Sequence, residues 1–88
     1  MQIHQLNEIC TILKPTFDDS GEIVFEDFGD CFCKIKRGAE EKYIPGNYTH
    51  KALVEMNGVN AGDLLITTQH DYIVVSVQEN ILGLIIKN

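Results

Sequence analysis

The sequence predicts an α/β three-layer sandwich, one helix on either side of a five-stranded antiparallel sheet, and three observations carry that expectation. First, the tail ITTQHDYIVVSVQENILGLIIKN is interrupted by polar triplets at Gln69-His70-Asp71 and Gln78-Glu79-Asn80. Short runs rich in Ile, Val, Tyr and Leu, divided by turn formers, mark a meander of strands. The same breaks deny the roughly 20 unbroken apolar residues that a membrane-spanning helix needs. Second, two earlier segments show helical spacing. Third, the run from Ile81 to Ile86 is apolar on both faces, so it must be covered on both. A helix ahead of each group of strands supplies that cover.

The elements follow in order. Ile3, Leu6, Cys10 and Leu13, with Ile9, form an apolar stripe at helical spacing, while His4, Gln5, Glu8 and Thr11 face away. This predicts a first helix ended by Pro15, after which Asp18-Asp19-Ser20-Gly21 supplies turn chemistry. EIVFEDF then reads as a strand, Gly29-Asp30 as a turn and CFCKIKR as the returning strand, with Cys31, Cys33 and Ile35 on one face and Phe32, Lys34 and Lys36 on the other. GAEEKYIPGN is a polar loop. Asn47 caps a second, short helix with Ala52, Leu53 and Met56 on its apolar side and Gly58 as its terminal glycine. Three strands complete the chain: DLLITTQ, YIVVSVQ and ILGLIIK. The element order is αββαβββ, with the last strand central beside the first.

Residues 1–88 form one domain, since 88 residues suffice for a single core but not for two. With 44% hydrophobic and 23% charged residues the chain is a folding sequence, not a disordered one. A formal net charge of −6 repels a phosphate backbone and argues against nucleic acid as a partner. The N-terminal stretch MQIHQLNEICTILK lacks the basic start and apolar core of a secretory signal, and three cysteines cannot all pair within the chain. A cytoplasmic protein with reduced thiols is therefore expected, without direct membrane insertion.

The order helix, hairpin, helix, three-stranded meander resembles the Roadblock family, the dynein light chain fold shared with small Ragulator subunits. The best local match is DLLITTQHDYIVVSVQENILGLIIKN, which looks like the family's closing segment. The first strand opens on Ser20-Gly21-Glu22-Ile23 where the family has a glycine-and-valine start, and the third, C-terminal helix of many members is not expected here. The resemblance implies strand order 2-1-5-4-3, with the second and third strands as edges. Lys34 and Lys36 guard the former, whereas Leu64 to Gln69 carries neither lysine nor proline. Roadblock-like proteins pair through that third strand and the adjoining helix, so Leu53, Met56, Leu64, Ile66 and Thr68 are the implied dimer or partner contacts.

Nothing in the sequence spells out a reaction. Cys31, Cys33, His50 and His70 could be drawn as a zinc set, but thiols two apart on a strand lack the usual knuckle spacing, and buried cysteines act as small hydrophobes. No glycine-rich phosphate loop or nucleophile signature is present, and Asp18-Asp19-Ser20-Gly21-Glu22 is too short for a calcium loop. No catalytic residue, cofactor or metal is expected, and a small hydrolase or metal enzyme ranks last. The leading expectation is a non-enzymatic scaffold or regulatory subunit, homodimeric or heterodimeric. The resemblance implies a Ras-like small GTPase, or a motor or trafficking complex, as its partner. The alternative is a small acidic inhibitor that uses Asp18, Asp19, Glu40 and Glu41 to block a basic site on a target enzyme.

Overall fold

The computed structural model describes residues 8–37 and 48–87. It contains six strands: β1 (Glu8–Phe17), β2 (Ile23–Arg37), β3 (His50–Val54), β4 (Leu64–Ile66), β5 (Asp71–Gln78) and β6 (Ile81–Ile86). They close into a barrel in the order β1-β2-β3-β6-β5-β4, every neighbouring pair antiparallel. The fold is all-β. This overturns the α/β sandwich, its five-stranded sheet and the strand order 2-1-5-4-3, and with them the Roadblock architecture.

Both expected helices are replaced by strands, for a reason visible in the side chains. In the first segment Cys10 and Ile12 are fully buried, a spacing of two, and Ile9, Thr11, Ile12 and Thr16 are β-branched residues that stiffen poorly into a helix. Pro15 does not end a helix but lies in β1, two residues beyond Leu13, the last residue that β1 pairs with β4. A strand tolerates proline at such an open edge, where no ladder bond is lost. Residues 1–7, including Ile3 and Leu6 of the expected stripe, lie outside the described residues. In the second segment Ala52 and Val54 are buried and Leu53 is not, again period two. Asn47 and the whole loop GAEEKYIPGN also lie outside the described residues.

The expected strand-turn-strand around Gly29-Asp30 is one continuous strand of 15 residues. Ile12 faces Gly29 but Leu13 faces Asp27, so Phe28 is an extra residue and the irregularity is a bulge rather than a turn. Gly29 accepts a φ of +153°, and a side chain there would press on Met56. The closing meander β4-β5-β6 lies where the polar breaks place it, although β6 pairs with β3 and β5 and not with the first strand.

The core is the barrel interior. Cys10, Ile12, Cys33, Ala52, Val54, Leu65, Val74, Leu82 and Leu84 fill it, each on the inward alternate of its strand. Only one connection between consecutive strands leaves the neighbouring-strand path: residues 55–63 pass from β3 across the barrel end to β4. Val59 plugs that end, the Gly62 amide donates to the Val74 carbonyl (2.8 Å), and the Val74 amide donates to the Asp63 carbonyl (2.9 Å).

Candidate functional site: an acidic hairpin arm

Beyond the barrel rim, β1 and β2 pair only with each other. β4 reaches β1 at residues 11–13 and β3 reaches β2 at residues 33–37, so each strand of the distal hairpin has an open outer edge. The molecule is accordingly elongated, 45 Å along one axis against 27 and 23 Å across. The arm turns at Asp18 to Glu22. There the Asp18 carboxylate Oδ1 accepts from the Ser20 hydroxyl (2.7 Å), the Ser20 amide (2.9 Å) and the Glu22 amide (3.0 Å), while Gly21 takes a φ of +87°. The Ser20 hydroxyl, followed by the Glu22 amide, holds the Asp18 carboxyl below its ordinary range.

The root of the arm is clamped to the crossing segment 55–63. Lys14 Nζ donates to the Asp63 carboxylate at 2.6 Å, and the same oxygen accepts from the Asn60 amide at 2.8 Å. Asp63 is almost wholly buried, so Lys14 supplies the charge that makes its burial tolerable. The Lys14 ammonium also lies 4.7 Å from the centre of the Phe28 ring. Phe28 in turn packs over Gly58, where φ is +91° and any side chain would meet the ring at 3.1 Å. Gly58 is thus the floor under an aromatic ring, not the helix cap expected from the sequence.

Partners across an antiparallel ladder share a face. Phe17 opposite Ile23 and Pro15 opposite Phe25 therefore line the outer face of the arm; Leu13 opposite Asp27 and Thr11 opposite Asp30 then interrupt it before Ile9 opposite Phe32. Phe17 is 71% exposed, Ile23 61% and Ile9 58%. Pro15, Phe17, Ile23 and Phe25 form an apolar strip on the distal arm that exceeds the scattered single exposures of an ordinary surface. Past that interruption lies an open groove of about 560 Å³ lined by Ile9, Asp30, Phe32, Glu55 and Met56. Asp18, Asp19, Glu22, Glu26, Asp27 and Asp30 accompany the strip, six of the chain's thirteen acidic residues.

The residues expected to form an edge contact are dispersed. β4 is no edge, because it pairs with β1 and β5, so the open-edge premise for the third strand does not hold, and the second helix is not formed. Leu64 is buried, Ile66 is half-buried opposite Thr11 and Asp71, and Thr68 is exposed in the turn at the far end of the barrel. Met56 packs at the root of the arm against Gly29, and Leu53 stands on the outer wall. Asp18 and Asp19 are at the arm tip, while Glu40 and Glu41 lie outside the described residues.

The thiols and the histidines lie apart, in the barrel interior and around Tyr72. Cys31 and Cys33 face the interior as expected, and Cys10 joins them: its Sγ is 3.7 Å from that of Cys31. Donation to Cys33, followed by burial, pushes the Cys10 thiol far up, and burial raises Cys31. Cys10 and Cys31 are thus held as thiols, which are poor nucleophiles and poor ligands, while donation from Cys10 lowers Cys33 inside the core. The Tyr72 ring is 5.3 Å from His50 and 5.9 Å from His70 at the opposite end from the arm. Among the described residues no three His, Cys, Asp or Glu side chains are placed to hold a metal ion, and no helix is long and apolar enough to cross a membrane.

Sequence reasoning missed the arm because it split β2 at Gly29-Asp30. The sequence offers no local signal against a turn there: the extra residue at Phe28 breaks the alternation, moving the outer face from Phe25 to Phe32, as a turn would also break it. Compared with protein-family models, curated proteins and solved structures, the chain matches none.

Proposed function

We propose that this protein is a non-enzymatic docking module whose β1–β2 arm inserts against a protein partner. The observation that carries this reading is the coincidence, on one protruding hairpin, of an exposed apolar strip, two open strand edges and six carboxylates. Apolar burial supplies affinity, roughly 1.5–3 kcal/mol for each large side chain taken fully out of water. The open edges offer backbone pairing to an added strand. The carboxylates demand a basic rim on the partner and speed encounter with it. The barrel is the mount that holds the arm in register, through Lys14, Asp63 and Phe28.

This reading keeps the protein-binding role expected from the sequence and moves it from the β4 side to the arm. The small-GTPase and trafficking partners rested on the α/β resemblance and are not carried forward. An acidic inhibitor of a basic site is the same surface used to block, and Asp18 and Asp19 at the tip favour it as the second reading. The test is a photoreactive phenylalanine analogue placed at position 17 or 25 in the cell that makes the protein, with position 77 on the barrel as reference. Adducts specific to the arm positions are expected. Equal labelling from all three positions, or none, would remove the arm as the binding element.

A further inference from the structure

Four of the chain's seven basic residues lie together at the far end of β2 and on β3: Lys34, Lys36, Arg37 and Lys51. Lys36 stands opposite Lys51 and Lys34 opposite Leu53, and Leu53 stands opposite Ile81 on β6. Lys34, Lys36, Lys51, Leu53 and Ile81 line an open groove of about 260 Å³ on the outer wall. Among the described residues no carboxylate lies within ion-pair distance of Lys34 or Lys36. The groove has the composition that the arm demands: an apolar floor between cations. The lysines expected to guard an edge instead flank a hollow in a closed wall, because β3 covers that stretch of β2.

The arm is the complement. Its one cation, Lys14, is engaged by Asp63, so the carboxylates of the tip have no neutralising partner on their own hairpin. The arm cannot fold back onto its own groove: Ile23 and Lys34 are eleven residues apart on one continuous strand, about 36 Å of extended chain. Two arms also repel each other through their carboxylates, which disfavours a two-fold contact of arm on arm.

We infer that the occupant of the lysine groove is the arm of a second copy of this chain, docked head to tail. The inference rests on the docking role proposed above and names its partner. Phe17 and Ile23 of one copy cover Leu53 and Ile81 of the next, and Asp18, Asp19 and Glu22 reach the ammonium groups of Lys34 and Lys36. Such a contact is heterologous, each copy offering one arm and one groove, so it continues beyond two copies until a ring closes or the chain of copies runs on.

Light scattering on the purified protein at low ionic strength tests this with two variants, Phe17→Asp on the arm and Lys34→Glu/Lys36→Glu on the wall. Wild type is expected to exceed the mass of a dimer with rising concentration and to dissociate in high salt. Each variant alone is expected to remain monomeric with an unchanged circular dichroism spectrum, since all three residues point outward. Mixed in equal amounts, the two variants retain one working groove and one working arm and are expected to stop at a heterodimer. Wild type that stays monomeric throughout, or a mixture that stays monomeric, overturns the inference. The crosslinks from position 17 separate the two levels: adducts to another protein alone leave the docking role standing and remove self-docking, whereas no arm-specific adduct removes both.

Discussion

The two halves of β2 are parts of one strand paired to one neighbour, yet they obey opposite rules. Along residues 31–35 the inward alternates face the barrel interior and the outward ones are Phe32 and Lys34; along 23–28 there is no inside, and both alternates meet water. The barrel half is held by β3 on its second edge, and the arm half by nothing but β1. Apolar side chains are therefore covered in one half and left exposed in the other. Phe25 and Ile35 look equally like core residues on paper, and only closure of the sheet separates their roles.

Core truncation gives the largest expected contrast. Leu65→Ala removes a fully buried side chain opposite Ile12 and Tyr72 and is expected to cost about 3 kcal/mol in urea unfolding, whereas Phe17→Ala should leave stability within about 0.5 kcal/mol and reduce partner binding roughly tenfold. Equal losses of stability from the two would erase the distinction between barrel and arm. Next comes the clamp. Lys14→Met strands the Asp63 carboxylate in the rim and is expected to cost about 2 kcal/mol, less than a fully buried pair because Lys14 remains partly solvated. Amide exchange should accelerate along residues 14–28 more than in β5 and β6; a uniform change would show that the clamp serves the barrel alone.

A smaller effect sharpens the barrel side. Glu79 opens the two-residue connection between β5 and β6 with a φ of +56°, a conformation costly for any residue with a Cβ. Glu79→Gly should raise the unfolding midpoint, by about 1 kcal/mol of stability, and leave the arm's binding unchanged. Smallest is the pH response of His50. Burial, then Arg37 and His70, hold its pKa below the ordinary 6.5, so the folded protein resists a proton that the unfolded chain accepts. Its contribution to stability is intact above 6.5 and is lost as pH falls through the depressed folded value. His50→Asn should flatten that limb of the urea-midpoint profile, and a profile identical to wild type would assign the decline to other groups.

How much of this is legible in the chain depends on whether a segment's pattern admits one period or two. The closing meander does not admit a helix, because its polar triplets fall too close together, and its strands lie where the sequence places them. The first segment admits both: Cys10 and Leu13 fit a helical stripe, and Cys10 and Ile12 fit a strand, so ten residues could not arbitrate. Ala52, Leu53 and Met56 repeat that ambiguity. Gly29 carried a different one, since a left-handed glycine serves a turn and a bulge alike, and the extra Phe28 that distinguishes them is visible only once β1 is known to pair on both sides of it. The sequence shows the acidic tip as a turn; that the turn stands on an apolar stalk follows only when β2 is one strand.

The clamp and the seam also differ in how they bear load. Tension on the tip pulls β1 and β2 together, so it reaches the barrel as shear on the ladders they share with β4 and β3, spread over several bonds at once. β4, three residues long, is all that closes the barrel on the other flank of β1. A sideways pull on the arm peels that seam one bond at a time, so the molecule is stiff along its length and compliant across it. In an array of copies joined arm to wall, stretching would be resisted and bending absorbed.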